Sequence, residues 1–334
     1  MEKTEVVENP DNVREHAPHP RKVAVVGAGK VGSTFAYALL LSGLVGEIVL
    51  IDIDHKRAEG EAMDLNHAMP LSHPTRIWAG DYPDCAGADV VVVAAGTAQR
   101  PGEPRLDLVK RNAAIFNDII PRITAHNQTG ILLLATNPVD VLSYVAWKAS
   151  GFPLQRVIGS GTVLDTARFR YLLGERLGVD PRNVHAHVIG EHGDSEVPIW
   201  SLATVAGMRL DDFCRRENCD LGPEIRVRIS EQTRDAAYEI IQRKGATHYA
   251  VAVGLLRIVE SILRDQHTVL AVSSLVPGYY DIEDVYLSLP TVVSRGGVER
   301  VLHLPLNEQE TEALRKSAAV LRGVLDELEH REGA

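Results

Sequence analysis

The segment GAGKVG sets Gly27, Gly29 and Gly32 in a G-x-G-x-x-G array. Such an array acts through its main chain. The first glycine permits a tight turn, the second lets the backbone approach a pyrophosphate, and the third lets helix and strand pack closely. Asp52 closes the next strand-like run, where a carboxylate can hold both ribose hydroxyls of NAD and repel the 2′-phosphate of NADP. A second array surrounds a histidine. GEHGDSEVP (190–198) flanks His192 with glycines and acids instead of apolar neighbours. Three further polar clusters interrupt apolar sequence: TNPVD (136–140), GTVLDTARFR (161–170) and AGTAQRPGEPRLDLVKRN (95–112). A helix over 162–177 would put Asp165 and Arg168, three residues apart, on one face.

The elements that must position these groups follow from hydrophobic period. KVAVVGAG (22–29), EIVLIDI (47–53), ADVVVVAAG (88–96), GILLLAT (130–136) and VIGSG (157–161) read as buried strands, with a further strand near 75–80. Helices are predicted over 31–43, 56–69, 105–126 and from the NP dipeptide to Ser150. Strands apolar on both faces and alternating with helices imply a parallel sheet covered on both sides. The second half predicts helices over 162–177, 223–243, 246–263 and 307–329, the last with Asn307 as N-cap. It also predicts strands near 184–190 and an antiparallel ribbon within 267–304. The expected fold class is α/β: a doubly wound parallel Rossmann sheet over 21–161, then an α+β substrate domain with antiparallel strands over 162–334. Residues 1–20 are expected to be a tail, or else an arm packed on a neighbouring subunit.

Composition bounds the partners. Acids outnumber bases 45 to 35, for a net charge of −10 and a pI near 5.7. Such a balance argues against nucleic acid or an anionic membrane. Both ends carry part of the excess, so local basic pockets for small anions are compatible with it. No apolar run approaches the roughly 18 residues of a membrane span, and the first twenty residues have no signal-peptide core. Cys85, Cys214 and Cys219 form no CxxC and no even framework, so each is expected to be a small buried hydrophobe, without disulfide or zinc, in a reducing compartment.

Together, GAGKVG, TNPVD, LDTAR and GEHGD, in this order, resemble the L-lactate/malate dehydrogenase family, and the likeness runs from about 21 to 330. It implies an NAD-dependent oxidoreductase acting on a 2-hydroxy acid. Reducing a ketone leaves an alkoxide that needs a proton donor, and imidazole, with an unperturbed pKa near 6.5, suits that task. His192 matches the family's proton donor and acceptor, Asp165 the carboxylate that orients it, and Arg168 the guanidinium that grips the substrate carboxylate. Arg105 matches the arginine that closes over the substrate and polarises its carbonyl. Asn137 matches the amide contacting substrate and cofactor, while Val31 and Val251 match cofactor-lining positions.

Malate-type members carry arginine where this chain has Gln99, because oxaloacetate brings a second carboxylate. Gln99, with Thr247 lining the same pocket, implies pyruvate; malate or another 2-hydroxy acid is the alternative. Arg100, beside Gln99, could compete for that role if the loop shifted. Arg170 and His185 match positions where allosteric bacterial members bind fructose 1,6-bisphosphate at a two-fold interface, the bland alternative being a surface arginine and a strand histidine. The resemblance further implies a homotetramer, a cytoplasmic setting and a place in fermentative glycolysis. Two other classes share the glycine turn. An NAD-dependent glycoside hydrolase would need a Cys/His metal site, and none of the cysteines lies near GEHGD. A non-enzymatic relative would be expected to have lost His192, Asp165 or Arg168.

Overall fold

The computed structural model describes residues 20–98, 105–276 and 278–332, with the side chains of Arg105 and of 330–332 outside the description. The tail or arm expected over 1–20 thus lies, apart from Pro20, outside the described residues. The elements run β1 (Lys22–Val26), α1 (Lys30–Ser42), β2 (Glu47–Ile51), α2 (His55–Ala68), β3 (Arg76–Ala79), β4 (Val90–Val93), α3 (Arg105–His126), β5 (Ile131–Leu134), α4 (Val139–Ser150) and β6 (Val157–Gly159). There follow α5 (Val163–Leu177), β7 (Val184–His185), β8 (Val188–Ile189), β9 (Val197–Pro198), β10 (Thr204–Val205), β11 (Met208–Arg209), α6 (Leu210–Glu217), α7 (Pro223–Lys244) and α8 (Tyr249–Arg264). The chain closes with β12 (Thr268–Leu275), β13 (Tyr286–Ser294), β14 (Gly297–Val301) and α9 (Glu308–Glu332).

Strands β3, β2, β1, β4, β5 and β6 are parallel neighbours. Their alternate residues feed two cores, as the period of two requires. Val23, Val25, Ile48 and Leu50 pack with Phe35 and Leu39 of α1 and Leu255 and Ile258 of α8. Ala24, Val26, Val49 and Val91 pack with Phe116 and Ile120 of α3 and Leu142 of α4. A helix from the second half therefore covers one face of the nucleotide sheet.

The predicted ribbon exists, with β12 antiparallel to β13 and β13 to β14. It is no separate layer. Ser273 of β12 pairs with Gly159 of β6, making one sheet in the order β14-β13-β12-β6-β5-β4-β1-β2-β3. A buried sheet edge at β6 would leave backbone groups unpaired, and β12 satisfies them.

The strands expected near 184–190 are the short β7 and β8, kept apart because α5 side chains intercept the backbone between them. The Arg170 Nε–H donates to Ala186 O at 2.9 Å, and Val188 N–H donates to Thr166 Oγ1 at 3.0 Å. The expectation for the cysteines is corrected. Cys85 is buried and free, but Cys214 and Cys219 form a disulfide. Helix α6, short and polar, ends where Asn218 turns left-handed (φ 54°) and folds Cys219 back until the two Cα atoms are 4.6 Å apart. Spacing alone does not show this turn.

Helix α9 begins at the predicted cap. Glu310 N–H donates to Asn307 Oδ1 at 2.8 Å, and Asn307 N–H to Glu310 Oε2 at 3.3 Å, a reciprocal capping box. Further along the helix, Ser317 is fully buried and accepts the Glu191 N–H at 2.8 Å. It also lies 3.0 Å from the Ser195 hydroxyl. The chain's last helix thus holds both ends of the GEHGDS turn. Ser317→Ala should strand a buried N–H and lower stability by about 1–3 kcal/mol. Urea denaturation measures it, and an unchanged midpoint would show that the bond contributes nothing.

Candidate active site

The glycine turn links β1 to α1 at the carboxyl end of the sheet. Gly27 has φ +102°, and a Cβ on it would lie 2.4 Å from Ala95 N. On Gly32 a Cβ would lie 1.9 Å from Gly27 O, so turn and helix pack backbone to backbone. Gly29 is the exception, with nothing within 4 Å of its Cβ position. It is also the N-cap of α1 and offers no side-chain cap. The helix therefore presents uncapped N–H groups to open space, which suits a pyrophosphate. Asp52 supports the same turn, as its Oδ2 accepts Ala28 N–H at 2.7 Å and its Oδ1 accepts Asp54 N–H at 2.9 Å. Fixed in this way, the carboxylate keeps lone pairs for ribose hydroxyls. Val31 and Val251 both pack on the core beneath α1 and α8. These residues fit a dinucleotide.

Asp165 lies in the first turn of α5 and is 1% exposed. Its Oδ1 accepts Arg168 Nη1–H at 2.7 Å and its Oδ2 faces His192 Nδ1 at 2.5 Å. The sequence-predicted trio is thus one cluster around one carboxylate. Burial would push Asp165 up, but the charges and hydrogen bonds of His192 and Arg168 outweigh it and hold the carboxyl below its usual range. Burial would likewise lower His192. Asp165 overcomes this, with help from Asp140 and Glu196, and lifts the imidazole to about 9. The His192 side chain is 20% exposed and that of Arg168 12%. A protonated imidazole beside a guanidinium can protonate an oxyanion while the guanidinium pairs a carboxylate.

Other predicted residues surround this cluster. Asn137 is exposed just after β5, and its backbone O accepts Asn112 Nδ2–H at 3.0 Å. Asn112, fully buried on α3, also accepts Thr97 N–H at 2.8 Å, tying the loops after β4 and β5 together. Thr247 precedes α8, where the neighbouring His248 Nδ1 lies 3.0 Å from Thr34 Oγ1 on α1. Gln99 and Arg100 lie outside the described residues. Arg105 opens α3, with its side chain outside the description.

Two acids were missed as separate participants. Asp140, inside the quoted TNPVD, is 2% exposed and accepts His192 N–H at 2.7 Å through Oδ2. Burial pushes it up to about 6. Glu196, inside GEHGDSEVP, has a buried Oε1 without a partner among the described residues. Both stood inside motifs already quoted, but their types gave no sign of facing the histidine.

Arg170 reaches the residue next to His185, its Nε–H donating to Ala186 O at 2.9 Å. Burial lowers the Arg170 guanidinium, and burial, then the charges of Arg170 and His185, push His187 down to about 4. No group of three or more His, Cys, Asp or Glu among the described residues could hold a metal, and no helix of theirs is long and apolar enough to cross a membrane.

His192 has a sign-definite effect on stability. Its folded pKa, about 9, exceeds the free value of 6.5, so its contribution is complete below pH 6.5 and is lost as pH rises through 9. The loss should be roughly 3 kcal/mol. His192→Asn should flatten this part of the stability–pH curve in denaturant titrations, and an unaltered slope would contradict the assignment.

Comparison with known proteins fits this geometry. The profile for the lactate/malate dehydrogenase NAD binding domain matches residues 21–159, and that for the family's alpha/beta C-terminal domain matches 162–332. An L-lactate dehydrogenase of Acetivibrio thermocellus is 55% identical over 311 residues, 92% of this chain and 98% of the relative. One of Priestia megaterium is 50% identical over 312 residues, 93% of this chain and 98% of the relative. The ligand-bound minor L-lactate dehydrogenase of Enterococcus mundtii superposes with a TM-score of 0.89 at 42% identity, covering 92% of this chain and 98% of that one. NAD is the cofactor of this fold, and the chain belongs to the lactate/malate dehydrogenase family.

Proposed function

We propose that the chain is an L-lactate dehydrogenase that interconverts pyruvate and L-lactate. The observation that carries this reading is the buried Asp165 carboxylate shared between Arg168 and His192. Bound NADH supplies the hydride, and the oxidised cofactor accepts it in reverse. The chain's own residues do the rest. Asp165 engages Nδ1, so His192 presents Nε2 to the substrate oxygen, giving its proton to the nascent alkoxide and taking it back during lactate oxidation. Asp165 favours the cationic ring without itself becoming protonated. Arg168 pairs the substrate carboxylate through the edge that Asp165 leaves open. Arg105 polarises the carbonyl and Asn137 orients it. Gly27, Gly29, Gly32, Asp52, Val31 and Val251 hold the cofactor.

Residues 21–161 serve as the nucleotide lobe and 162–334 as the substrate lobe. A homotetramer working in cytoplasmic glycolysis suits this reading. Gln99 and Thr247 would leave room for a methyl group and offer no counter-charge. Burying the second carboxylate of oxaloacetate there costs several kcal/mol. NADH oxidation should therefore favour pyruvate over oxaloacetate by roughly a hundredfold or more. Gln99→Arg should reverse much of that preference. Faster turnover of oxaloacetate by the unaltered protein would exclude the lactate assignment.

A second reading concerns regulation. Arg170 has no carboxylate partner among the described residues, its Nε–H going to Ala186 O, and its charge and that of His185 add to the burial that lowers the pKa of His187. We infer that Arg170, whose Nε–H goes to the main chain beside His185, and His185 bind fructose 1,6-bisphosphate across a two-fold axis. Adding the bisphosphate should lower the pyruvate concentration at half-saturation about fivefold or more and favour the tetramer in sedimentation. Identical curves and assembly with and without it would remove this site.

A further inference from the structure

The motif that carries His192 carries a second acid that the mechanism does not use. Glu196 lies four residues on, just before β9, in a turn closed by its own N–H donating to Gly193 O at 3.1 Å. Its Oε1 is buried and unpartnered among the described residues. The charges that act on it come from three elements. His192 shares its loop, Asp165 and Arg168 come from α5, and Arg234 comes from α7 with Glu231, Asp235 and Asp194 around it. Tyr238 of α7 donates to Asp194 Oδ1 at 2.9 Å, holding that acid on the α7 side. Glu196, its Oε1 buried and unpartnered among the described residues, thus lies within the field of the same two cations, Arg168 and His192, that a substrate carboxylate and its carbonyl oxygen must engage.

We propose that Glu196 is a positioning residue that sets the alkaline limit of 2-oxo acid binding, leaving Arg168 and His192 to the substrate when neutral and competing for them when ionised. The proposal rests on the 2-oxo acid reading above. Electrostatics fit it. Burial and then the Asp165 charge push Glu196 up to about 8, against the pull of His192, Arg168 and Arg234. Near neutral pH the carboxyl keeps its proton, and Asp165 remains the one anion between the two cations. At higher pH a second anion joins it, and an incoming carboxylate meets added repulsion and a guanidinium already engaged.

The test follows the inhibition constant of oxamate, the non-reacting amide isostere of pyruvate, from pH 6 to 10 with saturating NADH. Compared are the unaltered protein, Glu196→Gln and Glu196→Asp, each normalised to its own value at pH 6.5. Loss of binding in the unaltered protein should steepen until it tracks two protons, one from Glu196 and one from His192. The Gln variant should track one proton, and by pH 9.5 it should have lost about tenfold less affinity. The Asp variant should keep the steep limb, and kcat for pyruvate should fall with His192 alone in all three. A one-proton limb in the unaltered protein, or equal limbs in the unaltered and Gln proteins, overturns the role of Glu196. No turnover of pyruvate at pH 6.5 would instead overturn the 2-oxo acid reading.

Discussion

One buried carboxylate organises the catalytic half. Asp165, almost without solvent contact, gives one oxygen to Arg168 and the other to His192. Burying a lone carboxylate is costly, and burying two cations around it would cost as much again. Together the three groups satisfy one another, and each is held where another needs it. Arg168 sits one helical turn from Asp165, so α5 alone fixes that pair. His192 reaches them from a loop, and the loop is held in turn by Asp140 through its backbone and by Ser317 of α9. Loss of the carboxylate would leave two cations crowded together.

The cofactor side obeys a different constraint. Parallel strands bring their carboxyl ends to one edge, and several of the polar groups of interest lie there. Gly27 follows β1, Asp52 follows β2, Asn137 follows β5, and Asp165 follows β6 after a short turn. Residues far apart in the chain become neighbours because the sheet stacks the ends of their strands. Asn112 strengthens this edge by bonding the loops after β4 and β5 to α3.

Much of this was legible in the residues themselves. Four consecutive valines at 90–93 and the ILLL run at 131–134 have few alternatives to fully buried strands, and all are buried. The Asn307 cap announced α9. The glycine spacing with Asp52 announced the nucleotide turn. What stayed hidden depends on partners distant in sequence. The gap between β7 and β8 comes from Arg170 and Thr166, side chains on a helix that no local pattern connects to it. The Cys214–Cys219 bond depends on a single left-handed residue, Asn218. Ser317 is an ordinary serine until its helix docks, and Asp140 and Glu196 are ordinary acids until the loop folds over them.

The bond between the two halves at β6 and β12 bears on how the chain reaches its native state. Gly159 pairs with Leu134 of β5 on one side and finds its partner on the other only at Ser273, so a nascent chain that has completed the parallel strands still carries an open edge at β6. That edge stays available to other chains while α5 through α8 are being made. Once β12 docks, the main-chain ladder crosses from one lobe to the other. The lobes then share a single hydrogen-bonded sheet, and melting either one must strip the edge of its neighbour. Synthesis is sequential, but the finished molecule has one cooperative unit at its centre.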